Sequence, residues 1–295
     1  MFIPGTGTYS IASMEDTIVN GMTTREELKL IADIGYKRVE LLQQDLNANS
    51  NEDLKIWLDE FGLQVTSVHA KPTEEIVKRM ADLGAIAVIW AGTPFCNKAE
   101  ALEVAKELDE MAEMAEPYGI KIGYHNHTSE FYFDEGKTLL EHVLDNSTKC
   151  YAQLDCGWST CAGMYPPYFI RKYRNRIISI HVKENAKVEG PGPQPASRHA
   201  EGAGHAMPDL TKMTFEEKKA FVDGFNEMLK GVHERTLRLQ CRIGAPESNI
   251  NWNDIKAALD EQDFEAFWIV EREGFYADRV SCLTDDYKWL TENIK

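Results

Sequence analysis

Polar side chains that can bind a metal ion or move a proton follow several apolar runs from residue 120 onwards. They are His125, His127 and Glu130 in IGYHNHTSEF, Asp155 in YAQLD, His181 and Lys183 in IISIHVKEN, and Glu271 in FWIVERE. Two or three carboxylates with one imidazole form a mixed oxygen and nitrogen ligand set, which suits manganese, magnesium, cobalt or zinc. Because no cysteine belongs to this set, a structural zinc site is disfavoured.

Each of these residues also has a purely structural interpretation. A single histidine at a strand end is more often a hydrogen-bonded structural residue than a ligand, and Glu271 could simply pair with Arg272. Four separate strand ends that all carry such residues are much less expected from structural roles alone. The pattern therefore favours one joint metal site.

The apolar runs that carry these residues are predicted strands, and amphipathic helical stretches separate them. This alternation is typical of parallel α/β architecture, and eight strands are the number that a closed barrel needs. The predicted strands are Phe2–Ile3 with the residues that follow, Tyr36–Leu42, Leu63–His69, Ala85–Ala91, Ile120–His125, Tyr151–Asp155, Ile177–Val182 and Ala266–Glu271.

The predicted helices have apolar residues at three- and four-residue steps. They are Arg25–Ile34, Glu52–Phe61, Glu74–Leu83, Lys98–Tyr118, Lys137–Leu144 and Asn253–Leu259. Glycines that suit a helix C-cap follow several of them, namely Gly35, Gly62, Gly84 and Gly119. No glycine-rich phosphate loop follows an early strand, which argues against a doubly wound sheet. We therefore expect residues 1–295 to form a single (β/α)8 barrel with its active site at the carboxyl ends of the strands.

The composition limits the classes of partner. The chain has 295 residues, 43% of them hydrophobic, and 48 acidic against 32 basic residues give a formal net charge of −16. This charge disfavours nucleic acid and anionic membrane surfaces. The start MFIPGTGTYS lacks the features of a signal peptide, and nowhere do about 18 apolar residues run together. We expect a cytoplasmic, untethered protein whose six cysteines are reduced thiols.

One connection, residues 185–251, is much longer than the others. It follows the seventh predicted strand, contains the Pro/Gly-rich stretch EGPGPQPASRHAEGAGHAMPD and continues into a helix-like run, Phe215–Leu229. Long loops within compact domains usually carry function, so we expect a lid, a subunit contact or both. The composition of its first part leaves a disordered insertion as the alternative.

The segments GYHNHTSEF, LDCGWSTCAG, ISIHVKEN and IVERE resemble those of the xylose-isomerase-like sugar phosphate isomerase/epimerase superfamily, in the order that the family has. The resemblance implies a barrel with one divalent metal ion, manganese in the first place, held by Glu130, Asp155, His181 and Glu271. Glu184 stands in HVKE where the family usually has an aspartate, which puts the geometry of that loop in question.

The resemblance also implies roles around the metal. His127 resembles the residue that acts as the catalytic acid/base in the family, and His125 is the other candidate for this role. His69 and Lys183 resemble positions that contact the substrate, and Lys183 joins the two histidines as a catalytic candidate. Among the aromatic residues, Trp90 and Trp158 could stack on a sugar face, although packing at the rim explains them about as well.

A divalent ion at this mouth would acidify the proton next to a ketone and stabilise the enediolate. Return of the proton to the neighbouring carbon gives isomerisation, return to the opposite face gives epimerisation, and loss of a β-substituent gives a lyase or dehydratase. We predict an isomerase or epimerase of a sugar or keto-sugar. The alternative is a lyase of a 3-keto-glycoside, because enzymes that cleave 3-keto-C-glycosides belong to the same superfamily and work with a second subunit.

The sequence disfavours two other classes of protein. A DNA-repair endonuclease is the nucleic-acid member of this superfamily, but it should show more histidine ligands and a basic groove, which the acidic chain lacks. A non-catalytic barrel subunit should have lost a ligand or a base, whereas all the expected strand-end residues are present. We expect a carbohydrate substrate and a homo-oligomeric assembly.

Overall fold

A computed structural model describes residues 2–200 and 210–295. Its centre is a closed barrel of eight parallel strands, in which each strand pairs with the next along the chain and the last pairs with the first. The strands are β1 (Gly5–Gly7), β2 (Arg38–Leu42), β3 (Gln64–His69), β4 (Ala87–Trp90), β5 (Lys121–His125), β6 (Tyr151–Asp155), β7 (Ile177–Val182) and β8 (Phe267–Val270). The predicted (β/α)8 barrel is confirmed.

The strand register brings the later strand ends to one rim. Asp155 on β6 lies opposite His181 on β7, and His181 lies opposite Ile269 on β8. All six residues of β7 are buried, as expected for a parallel strand that is covered on both faces. Polar side chains at these strand ends therefore share one mouth of the barrel.

Helices surround the barrel, and local signals explain several of their ends. Thr23 and Glu26 form a reciprocal capping box at the start of one helix, and Gly62 ends another in the left-handed conformation with a φ of 64°. The α-helices are Thr8–Ile11, Thr24–Ile34, Gln43–Ala48, Asn51–Phe61, Glu74–Asp82, Lys98–Ala115, Leu139–Asn146, Cys156–Cys161, Pro166–Lys172, Phe215–Leu239, Trp252–Asp260 and Arg279–Asn293. All six predicted helices are present, with ends shifted by one or a few residues.

Some elements differ from the sequence prediction. The first strand, predicted as Phe2–Ile3 with the residues that follow, covers only Gly5–Gly7. The helix that begins at Phe215 continues past Leu229 to Leu239. Helices such as Cys156–Cys161 were not predicted, because a run of this length is too short to show helical periodicity. The register and the positions of the site residues do not depend on these differences.

The long segment after β7 packs against neighbouring elements in the parts that the structure describes. Ser197 Oγ donates to Glu100 Oε1 over 2.5 Å, and Arg198 Nη2 donates to Glu107 Oε1 over 2.5 Å. These contacts attach it to the outer helix Lys98–Ala115. Residues 201–209, which belong to the predicted lid, lie outside the described residues, and its role as lid or subunit contact stays a prediction.

All six cysteines carry free thiols, and five of them are buried. Among the described helices, none combines the length and apolar character needed to cross a membrane.

Candidate metal centre

Four side chains from adjacent strands bring ligand atoms together at the mouth. His125 ends β5, Asp155 ends β6, His181 lies on β7 and Glu271 directly follows β8. Each offers one atom, and these atoms all lie within 4.8 Å of one another. All four residues are buried. Two carboxylates with two imidazoles match the preferences of borderline divalent ions such as zinc, manganese or cobalt.

His181 is held on both sides of its ring. Its Nδ1 is 2.8 Å from Glu271 Oε2 and 3.8 Å from Asp155 Oδ2, while its Nε2 is 2.8 Å from Glu40 Oε1. When Nε2 carries the proton and donates it to Glu40, Nδ1 is unprotonated and faces the other two carboxylates. Histidines that bind metal ions are commonly oriented by a carboxylate in this way. Burial lowers the pKa of His181, but Glu271 and Glu40 raise it to about 10. The surrounding carboxylates thus stabilise either the protonated His181 ring or a cation bound beside it.

Glu40 was missed by the sequence prediction. It lies inside β2 and is fully buried, and its Oε2 accepts hydrogen bonds from Ser67 Oγ at 2.5 Å and from Gln153 Nε2 at 2.7 Å. Burial raises the pKa of Glu40, but His69 and His181 lower it to about 2. The only signal in the sequence is a glutamate within the apolar run RVELL. Such a residue is unexpected in a buried strand unless it has a polar partner.

Asp155 has one satisfied and one unsatisfied oxygen. Its Oδ1 accepts a hydrogen bond from the backbone N–H of Trp158 at 2.7 Å, whereas its Oδ2 is buried without a hydrogen-bond partner. Burial raises the pKa of Asp155 to about 7. Lys183 Nζ lies 3.3 Å from this oxygen without forming a hydrogen bond to it. A buried carboxylate oxygen that accepts no hydrogen bond is available to bind a metal ion. The four-donor group therefore fits a divalent ion.

Lys183 lies beside this group. Its Nζ is 2.9 Å from Glu271 Oε2, 3.3 Å from Asp155 Oδ2 and 3.2 Å from Glu273 Oε1. Burial lowers the pKa of Lys183, but the three carboxylates raise it above its ordinary value. The same ammonium lies 4.3 Å from the centre of the Trp158 ring, so one face of this ring is covered by a cation rather than open to a sugar.

Glu130 and His127 form a separate pair. Glu130 Oε1 accepts a hydrogen bond from Tyr124 at 2.9 Å, and its Oε2 accepts from Ser129 Oγ at 2.8 Å and from the backbone N–H of His127 at 3.0 Å. Glu130 Oε1 is 3.9 Å from His127 Nδ1, and this carboxylate raises the pKa of His127 against the effect of burial. Among the described residues, the groups of converging metal donors contain His125 and not Glu130.

A second group of close donors consists of His69, His125 and His181. Gln153 links two of them, because its Oε1 is 2.6 Å from His69 Nε2 and 3.1 Å from His125 Nδ1. Burial lowers the pKa of His125 well below its ordinary value, as do the neighbouring histidines. Gln153 was not predicted, since a glutamine within YAQLD gives no signal of its own. These contacts place His69 beside the donor group, and its role in binding substrate stays a prediction.

Two aromatic residues complete the surroundings. Tyr9 was not predicted, and its hydroxyl lies 3.0 Å from Glu40 Oε1 and 3.1 Å from His181 Nε2. Trp90 at the end of β4 is buried, and Lys71 Nζ lies 5.3 Å from the centre of its ring. Among the described residues, no hydrogen bond joins Trp90 to the donor group, and its contact with substrate stays a prediction.

Arg272 and Glu184, which left two questions open in the sequence, both have defined partners in the structure. Arg272 forms a buried ion pair with Asp286, so Glu271 remains directed at the donor group. Glu184 accepts hydrogen bonds from Gly244 N at 3.0 Å and from Trp252 Nε1 at 2.8 Å. Glu184 thereby holds the C-terminal end of the long segment against the barrel.

A cavity of about 190 Å³ opens beside His127 and Glu130. Phe95, from the loop after β4, forms part of its wall, and Pro195 of the long segment forms another part. The side chain of His127 is 41% exposed, so its imidazole can meet a molecule in this cavity.

Comparisons with known proteins agree with this architecture. The model of the xylose isomerase-like TIM barrel family matches residues 28–293. The inosose dehydratase of Clostridium beijerinckii is 23% identical over 262 residues, which cover 80% of this chain and 74% of that protein. The inosose dehydratase of Clostridium tetani is 30% identical over 187 residues, 63% of this chain and 51% of that protein.

Solved structures show the same fold. A sugar phosphate isomerase/epimerase from Parabacteroides distasonis has a TM-score of 0.68 at 18% identity, covering 99% of this chain and 94% of its own. The IOLI protein with a bound zinc atom has a TM-score of 0.62 at 13% identity, covering 99% and 97%. The family model spans most of the sequence, and the chain therefore belongs to the xylose isomerase-like TIM barrel family.

Proposed function

We propose that the protein is a divalent-metal-dependent enzyme that removes a proton next to the ketone of a sugar or keto-polyol. The observation that carries this proposal is the buried group of His125, Asp155, His181 and Glu271, whose donor atoms lie within 4.8 Å of one another. When bound there, a divalent ion supplies Lewis acidity that stabilises an enediolate. The IOLI protein, which has the same fold, is described with a bound zinc atom, and this supports metal binding by the donor group.

The residues of the chain supply the remaining parts of the mechanism. Glu40 orients His181, and Glu130 positions His127 at the edge of the cavity. His127 is the group that exchanges a proton with the substrate, because its imidazole is accessible and histidine titrates near neutral pH. Lys183, which the adjacent carboxylates keep protonated, holds a second proton beside the donor group.

The first candidate outcome is isomerisation or epimerisation. The fold neighbour described as a sugar phosphate isomerase/epimerase supports it, although its 18% identity speaks for the fold alone. Both outcomes need only the removal of a proton and its return to a different carbon or face. His127 can carry out the isomerisation alone, whereas return of the proton to the opposite face needs a second proton donor on that face.

The second candidate outcome is dehydration of a keto-polyol. Two curated relatives are inosose dehydratases, and elimination of water needs an acid for the departing hydroxyl as well as a base. The ammonium of Lys183, 2.9 Å from Glu271, is placed to give that proton. This outcome shares its first step with the isomerase reaction, so the product decides between them.

The test combines metal analysis with solvent exchange. Natively purified protein, protein stripped with a chelator, and stripped protein reloaded with manganese, magnesium, cobalt or zinc are incubated in deuterium oxide with ketohexoses, inosose and 3-keto-glycosides. We expect about one metal ion per chain and metal-dependent deuterium incorporation next to the ketone, with NMR showing the product. Asp155→Asn should lose both, whereas Glu292→Gln on the exposed face of the last helix should keep both. Metal-free protein that exchanges equally well, or no exchange with any metal, would contradict the proposal.

A further inference from the structure

Two unsatisfied hydrogen-bond donors lie at the mouth. Among the described residues, six buried side-chain nitrogen or oxygen atoms lack a hydrogen-bond partner, and four of these are nitrogen donors. Two of the four belong to the cations Lys183 and Arg198, and the two neutral N–H donors are Trp158 Nε1 and Gln240 Nε2. A buried donor without an acceptor destabilises a fold by about 1–3 kcal/mol. Such donors next to a reaction site indicate a ligand that supplies the acceptors.

Contacts place the side chain of Trp158 beside the backbone that carries Gln240. Trp158 follows β6, is 6% exposed and packs against Leu239, the last residue of the helix Phe215–Leu239. Gln240 comes directly after Leu239, and its Oε1 accepts hydrogen bonds from the backbone N–H groups of Glu273 at 3.2 Å and Gly274 at 2.7 Å. The acceptor half of the Gln240 amide is therefore used within the protein, and the donor half is left over.

The surrounding charges decide which acceptor fits. The ammonium of Lys183 already lies within 3.3 Å of the carboxylates of Asp155, Glu271 and Glu273. Arg235 is 6.0 Å from the Trp158 ring and pairs with Glu189 at 2.7 Å. Arg272, whose Nη1 donates to the backbone oxygen of Gly274 at 3.2 Å, is already paired with Asp286. A phosphate would meet more negative than free positive charge here, whereas a neutral hydroxyl oxygen meets only donors that lack partners.

We propose that Trp158 and Gln240 form a subsite that donates hydrogen bonds to the hydroxyl oxygens of an unphosphorylated polyol. This inference rests on the proposed function, because it assigns the part of the substrate that does not react. Both donor atoms are covered in the structure, and Leu239 and Gln240 belong to the long segment after β7. The proposed subsite therefore requires the end of this segment to move aside for the polyol to enter.

The test measures binding separately from catalysis. The probe is myo-inositol, a cyclic polyol without a ketone, titrated by NMR into chelator-treated and metal-loaded protein. Trp158→Phe removes the indole N–H and keeps most of the ring, and Gln240→Glu keeps the acceptor for Glu273 and Gly274 while removing the amide donor. Each variant should weaken binding about fivefold to thirtyfold, as the loss of one hydrogen bond predicts. Trp57→Phe, in the outer helix Asn51–Phe61, is the matched control and should bind as the parent does.

Two further arms exclude a merely structural role and a phosphate site. One deoxy-inositol in a series should lack the hydroxyl that Trp158 contacts, and this analogue should bind the parent more weakly than myo-inositol does. The same analogue and myo-inositol should bind Trp158→Phe with equal affinity. Inositol monophosphate should bind the parent at least about tenfold more weakly than myo-inositol, since the carboxylates repel it. Equal affinity of the variants and the parent, or tighter binding of the phosphate, would overturn the subsite. Because the probe is not turned over and the metal can be left out, this failure is distinct from a failure of metal-dependent exchange.

Discussion

Glu40 on β2 and His181 on β7 meet across the interior of the barrel, with Glu40 Oε1 2.8 Å from His181 Nε2. A metal-binding histidine commonly donates its second ring N–H to a carboxylate, which fixes the tautomer and the orientation of the ring. Glu40 has this relation to His181 although it lies far from the strand-end motifs in the sequence. The carboxylate therefore belongs to the candidate metal centre as a positioning residue.

Glu40→Gln should weaken metal binding without removing any of the four donors. We expect a loss of affinity of about tenfold to 100-fold, because the amide no longer holds the His181 tautomer with a charge. Competition with a metal chelator measures this change. Glu60→Gln on the protein surface is the control, and unchanged affinity in Glu40→Gln would show that the contact does not orient a ligand.

A pair of variants distinguishes the two candidates for the ligand from β5 and its loop. His125→Ala should bind metal at least about tenfold more weakly, because His125 belongs to the converging group. Glu130→Gln should keep its metal content and lose activity instead, because the Glu130 carboxylate contacts His127 and Tyr124. Elemental analysis of both purified variants decides. The opposite result would restore the ligand set that the family resemblance implied, with Glu130 on the metal.

Glu27 should make the stability of the fold depend on pH. It is 4% exposed, and burial together with Asp45 and Asp16 raises its pKa to about 9. Between about pH 4.5 and pH 9 the folded state holds a proton that the unfolded state releases, so the free energy of unfolding falls as the pH rises through this window.

Glu27→Gln removes this dependence. We expect the variant to be more stable than the parent by about 1–3 kcal/mol at pH 8 and to lose most of that advantage at pH 5. Urea denaturation at the two pH values measures the difference, and Glu292→Gln is the exposed control. A constant difference between the two pH values would mean that Glu27 is charged in the folded protein.

Glu100 should hold the first part of the long segment in place. This buried carboxylate accepts hydrogen bonds from Ser197 Oγ at 2.5 Å and from the backbone N–H of Arg198 at 3.1 Å. Glu100→Ala should make residues 186–200 open more often, so that limited proteolysis there speeds up by about tenfold. The KM for substrate should rise in the same variant, because Pro195 forms part of the cavity wall beside His127.

Glu110→Ala is the matched control for this prediction. Glu110 lies on the same helix but is exposed and contacts Lys106. It should leave both the proteolysis and the KM unchanged. Equal cleavage rates in the two variants would show that the segment is held by other contacts.

Much of the fold was determined by local features of the sequence. Apolar runs of strand length, amphipathic helices and glycines such as Gly62 and Gly119 repeat along the chain, and each acts within a few residues. Barrel closure follows from eight such units, because short right-handed connections leave few other arrangements. Asp155, His181 and Glu271 were recognised for the same reason, since each stands at the end of a readable strand.

The tertiary structure alone decided which polar residues meet. Glu40, Gln153 and Tyr9 lie inside or beside strands whose local pattern says only that they are buried, and their partners come from β7 and β3 on other parts of the barrel. Likewise, His125 and Glu130 both stand near the end of β5 in the sequence, and either could be a ligand. The path of the backbone after β5 places His125 in the donor group and Glu130 beside His127. Periodicity determines which face a residue occupies, whereas contacts between distant residues depend on register and barrel closure.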